Sequence, residues 1–164
     1  MENTSLLTET LPPRIRGAGR LAVVGIGDEL SPPDSLGMTA AREIEKHRIP
    51  GVTVFFAGTV PESITGPLRR FRPDHILFLD AADSGARPGT IAVIEPEQIQ
   101  ATLITTHALP LGVVMEYVGR ETRAGVSLLG IQPDVTKPDR DLSCPDLMYL
   151  EQNLEVLVRV LRER

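Results

Sequence analysis

Asp34, Asp80 and His107 are the side chains whose types and positions point most clearly to chemistry. Asp80 closes the unbroken apolar run Ile76-Leu77-Phe78-Leu79. Asp34 stands between an apolar stretch, Leu21 to Ile26, and a segment of helical periodicity. His107 sits just ahead of a second periodic segment. Two carboxylates and one imidazole brought together form an O,O,N donor set suited to a borderline divalent ion. Each residue also has a plainer reading. An Asp ahead of a helix is a common N-cap. Asp80 can accept from the loop amides of Ala81 to Gly85, although an ionised carboxylate at the end of a buried strand is costly without a partner. His107 can be a satisfied, partly buried histidine, and a helix N-terminus beside it would favour the neutral form that binds metals.

The elements that must position these groups follow from the apolar pattern. Strands are expected at Leu21 to Gly27, Val52 to Phe56, Ile76 to Asp80, Ile91 to Ile94 and Val126 to Ile131. All are short and nearly continuous in apolarity, as buried parallel strands are. Thr102-Leu103-Ile104 is ambiguous. Helical faces are formed by Leu36, Ala40, Ala41 and Ile44, by Leu111, Val114, Met115 and Val118, and by Leu147, Leu150, Leu154, Leu157 and Leu161. Thr59-Val60-Pro61-Glu62 reads as a capping box with Thr59 at the N-cap. Residues 1–20 read as a loosely structured N-terminal arm, and residues 21–164 as a single α/β domain. Alternation of strand and helix implies a three-layer αβα sandwich around a twisted, mostly parallel sheet of about five strands. In such sheets ligands bind outside the carboxyl ends of the strands, where the strand order switches direction.

Composition narrows the functional classes. The formal charge of −5 argues against a nucleic-acid partner. No apolar stretch is long enough to span a bilayer, and residues 1–20 lack the apolar centre of a secretory signal. The single cysteine, Cys144, excludes an internal disulfide, fits a reducing cytoplasm, and is expected to be buried and inert. Gly25-Ile26-Gly27-Asp28-Glu29-Leu30 starts like a dinucleotide fingerprint, but Leu30 takes the place of the third glycine and three nearby acids would repel a pyrophosphate. There is no Walker loop and no Gly-x-Ser-x-Gly elbow. His47, His75 and His107 are too far apart for a His-Glu-x-x-His helix.

Four ordered motifs give the chain a family resemblance. They are Gly27-Asp28-Glu29-Leu30-Ser31-Pro32-Pro33-Asp34-Ser35-Leu36-Gly37, then Asp80-Ala81 with Gly85 and Pro88-Gly89, then Thr105-Thr106-His107-Ala108-Leu109-Pro110-Leu111, and finally Gly130-Ile131-Gln132-Pro133. With these, and with Val60-Pro61-Glu62 and Arg72-Pro73, the chain resembles the hydrogenase maturation endopeptidases, especially the branch serving formate-hydrogenlyase-type nickel–iron hydrogenases. The resemblance implies an enzyme that removes the C-terminal extension of the hydrogenase large-subunit precursor after nickel insertion. It implies that Asp34, Asp80 and His107 form the metal-binding and catalytic cleft. It also implies no intrinsic cofactor: the nickel belongs to the precursor and is what the enzyme recognises, although other divalent ions can occupy such a site. That ion could polarise the scissile carbonyl or activate water, or Asp34 or Asp80 could act as the base. The expected partner is the nickel-loaded precursor, with no nucleic acid and no membrane, and a monomer is expected.

The chain departs from the family pattern at Asp28, Pro33 and Ser35, where Asn, Asp and Gly are usual. Pro32-Pro33 should stiffen this loop by fixing φ twice. Two rivals follow. One is a non-cleaving relative that binds nickel or the precursor as a chaperone. The other is a phospho-receiver-like signalling domain, imitated by Asp28-Glu29, Asp80 and Lys137-Pro138 but lacking a Thr or Ser at the end of the fourth strand.

Overall fold

The computed structural model describes residues 2–103 and 110–164, with side chains from Leu6 onward. The apolar runs form β1 (Leu21–Ile26), β2 (Val52–Gly58), β3 (His75–Ala81), β4 (Ile91–Ile94) and β5 (Gly125–Ile131), each within two residues of its expected span. They join in one sheet in the order β2-β1-β3-β5-β4. Every neighbouring pair is parallel except β4 with β5, which runs antiparallel from Ile91 opposite Ile131 to Ile94 opposite Leu128. A receiver-like sheet would run 2-1-3-4-5; the antiparallel edge strand and the swapped order remove that rival.

Strand alternation sends β1, β3 and β5 side chains to two separate cores. One face carries Leu21, Val23, Leu77, Leu79, Leu129 and Ile131 under α3 (Leu36–Lys46) and α7 (Cys144–Glu163). The other carries Ala22, Val24, Ile76, Phe78 and Leu128 under α4 (Thr65–Phe71) and α6 (Leu111–Thr122). The result is the expected αβα sandwich. On α7, Leu150, Leu154, Leu157 and Leu161 are buried, while Leu147 in the first turn is exposed.

Several local expectations need correction. Residues 2–15 are not loosely structured: α1 (Glu2–Thr10) and α2 (Pro12–Ile15) bury Leu7, Leu11 and Ile15 in the first core, and Arg14 pairs with Glu95. Spacing by four places these three apolar side chains on one face, and that face outweighs the interruption by Pro12-Pro13. Thr59 is not an N-cap: a 3-10 turn spans Pro61–Ile64 after Val60, with no side-chain cap. The ambiguous stretch divides, with a short helix α5 (Ile99–Thr102) followed by Leu103 in an isolated antiparallel bridge to Ala82.

Candidate functional site

The strand order reverses between β1 and β3, because the crossover after β1 leads to β2 on one side while β3 lies on the other. The carboxyl ends of β1 and β3 therefore bound the crevice where such folds hold ligands. Asp34 and Asp80 both lie at this end of the sheet.

Gly37, in the first turn of α3, explains how tightly the site is built. A β-carbon there would overlap the carbonyl oxygens of both Ile26 and Leu79. Only glycine lets the helix sit directly over the strand ends. Leu79 leads into Asp80, and Asp34 lies three residues before Gly37, so this close approach brings the backbone of both segments to the same end of the sheet.

The loop before α3 is clamped by its own side chains. Gly27 takes φ +136°, where a β-carbon would overlap the backbone oxygen of Asp34, and its N–H donates to Gly58 O at 2.8 Å. The N–H of Asp28 donates to Asp34 Oδ2 at 3.0 Å, and the N–H of Leu30 donates to Asp28 Oδ1 at 2.9 Å. Arg42 on α3 donates to Glu29 Oε1 at 2.6 Å, and that hydrogen bond holds the Glu29 carboxyl below its ordinary range. Asp34 is therefore not the helix cap: Ser35 occupies that position without a side-chain cap bond, after a turn in which the Ser35 N–H donates to Ser31 O at 2.9 Å. The Asp34 carboxylate instead closes the loop, near a helix N-terminus that favours negative charge.

Asp80 is fully buried, and its Oδ1 accepts the N–H of Ala81 at 2.8 Å. The plain reading of this residue is thus partly realised. By alternation its side chain shares the face of Ile76 and Phe78, the one covered by α6. His107 lies outside the described residues. The chain enters that stretch from Leu103, bridged to Ala82 two residues past Asp80, with Asp83 N–H donating to Thr102 O at 2.7 Å. It returns at Pro110, the N-cap of α6. Among the described residues, which omit His107, no cluster of three His, Cys, Asp or Glu side chains could hold a metal.

Gln132, in the Gly130-Ile131-Gln132-Pro133 motif, carries a structural task that the sequence does not spell out. It is buried at the end of β5, and its side chain spans the loop after β3. Its Oε1 accepts from Ser84 N–H at 2.8 Å, and its Nε2 donates to Asp83 Oδ1 at 3.1 Å. Its backbone holds the far side of the same loop, accepting from Gly89 N–H at 2.8 Å and donating to Thr90 O at 2.9 Å. Cys144 corrects another expectation: it is exposed at the first position of α7.

The structure is an αβα sandwich with one carboxylate buried at the end of a central strand and another closing the loop after its neighbour. Comparison with known proteins gives it a family. Residues 38–145 match the family model for hydrogenase maturation proteases. The chain is 32% identical over 111 residues to the hydrogenase 3 maturation protease of Escherichia coli, covering 67% of this chain and 70% of that relative. The crystal structure of the nickel–iron hydrogenase maturation protease HycI from Thermococcus kodakarensis superposes with a TM-score of 0.78 at 27% identity, covering 93% of this chain and 98% of that one. The solution structure of the endopeptidase HycI from Escherichia coli gives a TM-score of 0.70 at 26% identity, covering 88% and 90%. The chain belongs to the hydrogenase maturation protease family.

Proposed function

We propose that this protein is an endopeptidase that removes the C-terminal extension of a nickel–iron hydrogenase large-subunit precursor, and that it recognises the nickel already seated there. Asp34, Asp80 and His107 are the proposed donors, acting together at the switch point. The observation that supports this reading is the close seating of Gly37 against the ends of β1 and β3, which brings the segments carrying Asp34 and Asp80 to the same end of the sheet. Two carboxylates and a neutral imidazole suit an ion such as nickel that retains open coordination positions. Affinity would then depend on the loaded ion, so an unloaded precursor would be passed over. The formate-hydrogenlyase-type branch is the proposed assignment within the family, with a monomer in a reducing cytoplasm as the proposed setting. No helix among the described residues is long and apolar enough to cross a membrane.

Incubation with nickel-loaded and nickel-free precursor, followed by intact mass measurement, tests the reading. Shortening of the loaded form alone is expected. Equal shortening of both forms would remove nickel recognition, and binding without shortening would establish the chaperone alternative.

A further inference from the structure

The carboxyl end of the sheet carries a rim of exposed apolar side chains. Of the eight large apolar residues exposed among the described residues, six are at this end, Leu30, Val60, Val113, Val135, Leu147 and Met148, and the other two are Leu6 on α1 and Tyr117 in the middle of α6. Leu30 follows β1, Val60 follows β2 and Val135 follows β5, while Val113 lies in the first turn of α6. Leu147 and Met148 lie near the start of α7, which Gly89 ties to this end by packing against Asp146 and Leu150 on one side and donating to Gln132 O on the other. The connections at the opposite end instead expose Arg16, Arg20, Arg48, Arg72 and Arg123, with no exposed large apolar residue among them. Single exposed apolar residues are ordinary. Their concentration at the end that holds Asp34 and Asp80 is the informative feature.

Leu30 is the extreme case, 93% exposed. Its backbone is nevertheless tied down by Asp28, by the Glu29–Arg42 pair, and by the two prolines that follow. A leucine held out by an ordered loop adds nothing to this molecule's own core. It is four residues from Asp34, and Asp28 is bonded to both residues. A bare metal ion makes no use of an apolar rim. A folded protein seated over the crevice would cover it.

We propose that Leu30 is the apolar anchor through which this face docks the folded large-subunit precursor. The partner is taken from the endopeptidase reading, and the proposal rests on that reading to this extent.

The test uses the full chain, nickel-loaded precursor, and the variants Leu30→Ala, Leu30→Asp and, on the outer face of α6, Tyr117→Ser. Binding is read by titration and processing by initial rates. Leu30→Ala should weaken binding and raise KM about tenfold, and Leu30→Asp by more, with kcat held within about twofold. Thermal stability should match the parent, and Tyr117→Ser should behave as the parent does. Unchanged binding in Leu30→Asp, or a fall in kcat at constant KM, would overturn the anchor while leaving the endopeptidase reading in place. A parent dimer dissociated by Leu30→Asp would also overturn it, making a second copy the occupant. Leu30-dependent binding without shortening would sustain the anchor and defeat the endopeptidase reading.

Discussion

The carboxylate of Asp34 accepts the backbone N–H of Asp28 at 3.0 Å through Oδ2, so this candidate ligand also closes the loop that presents it. Its charge and its hydrogen bond can be separated by substitution. Asp34→Asn keeps an acceptor oxygen and should leave the melting temperature nearly unchanged, while precursor processing falls by about 100-fold or more. Asp34→Ala loses both and should additionally cost about 1 kcal/mol in denaturant unfolding. Full activity in Asp34→Asn would reduce this residue to a loop clamp.

Gly37→Ala tests the seating of α3. The new methyl meets backbone oxygens of two central strands, which cannot rotate away as a side chain can. Destabilisation of about 1–3 kcal/mol is expected in urea unfolding. Processing should fall as well, because the displaced helix carries the Asp34 loop with it. An unperturbed midpoint would show that the close approach is not tight.

Gln132→Ala removes a buried amide that joins the end of β5 to the loop after Asp80. Leaving the Ser84 N–H and the Asp83 carboxylate without this partner should cost about 1–3 kcal/mol. Hydrogen exchange should accelerate at Ser84 and Gly85 and stay unchanged at Asp28 and Leu30. Uniform acceleration across the molecule would mean that Gln132 supports the whole fold and not this loop.

His75 predicts a pH dependence of stability that is unrelated to the site. The ring is buried, with Nε2 3.0 Å from Ser127 Oγ, and burial lowers its pKa from the ordinary 6.5, aided by the charge of Arg14. The folded state therefore keeps the ring neutral, while the unfolded chain takes up a proton as pH falls through 6.5. This contribution is complete above that pH and is lost as pH drops toward the depressed folded value, with a slope of at most about 1.4 kcal/mol per pH unit. His75→Gln should flatten the profile in that window. An unchanged slope in the variant would assign the dependence to other groups.

Legibility in the sequence tracked the range of the forces involved. The five strands were readable because buried parallel strands advertise themselves as apolar runs, and Asp80 stood out because it ends one of them. Leu7, Leu11 and Ile15 carry no clear local signal because the prolines at 12 and 13 break the pattern, while the burial that orders the segment comes from β4 and α7 far along the chain. Asp34 looked like a cap because its position before a helix is what caps share. The turn from Ser31 to Ser35 satisfies that helix start through backbone bonds and frees the carboxylate for Asp28. Gln132 was visible as part of a motif, but its task depends on Asp83 and Ser84, nearly fifty residues away, which no local pattern encodes. The exposure of Leu30 was equally hidden, since a leucine in sequence reads as core.

A crystal of the protein soaked in nickel, with the anomalous signal measured at the nickel edge, tests the central proposition most directly. The account predicts one ion at the carboxyl end of β3, within about 2.0–2.2 Å of a carboxylate oxygen from each of Asp34 and Asp80 and of a ring nitrogen of His107. An ion bound elsewhere, or His107 turned away from the two acids, would contradict it.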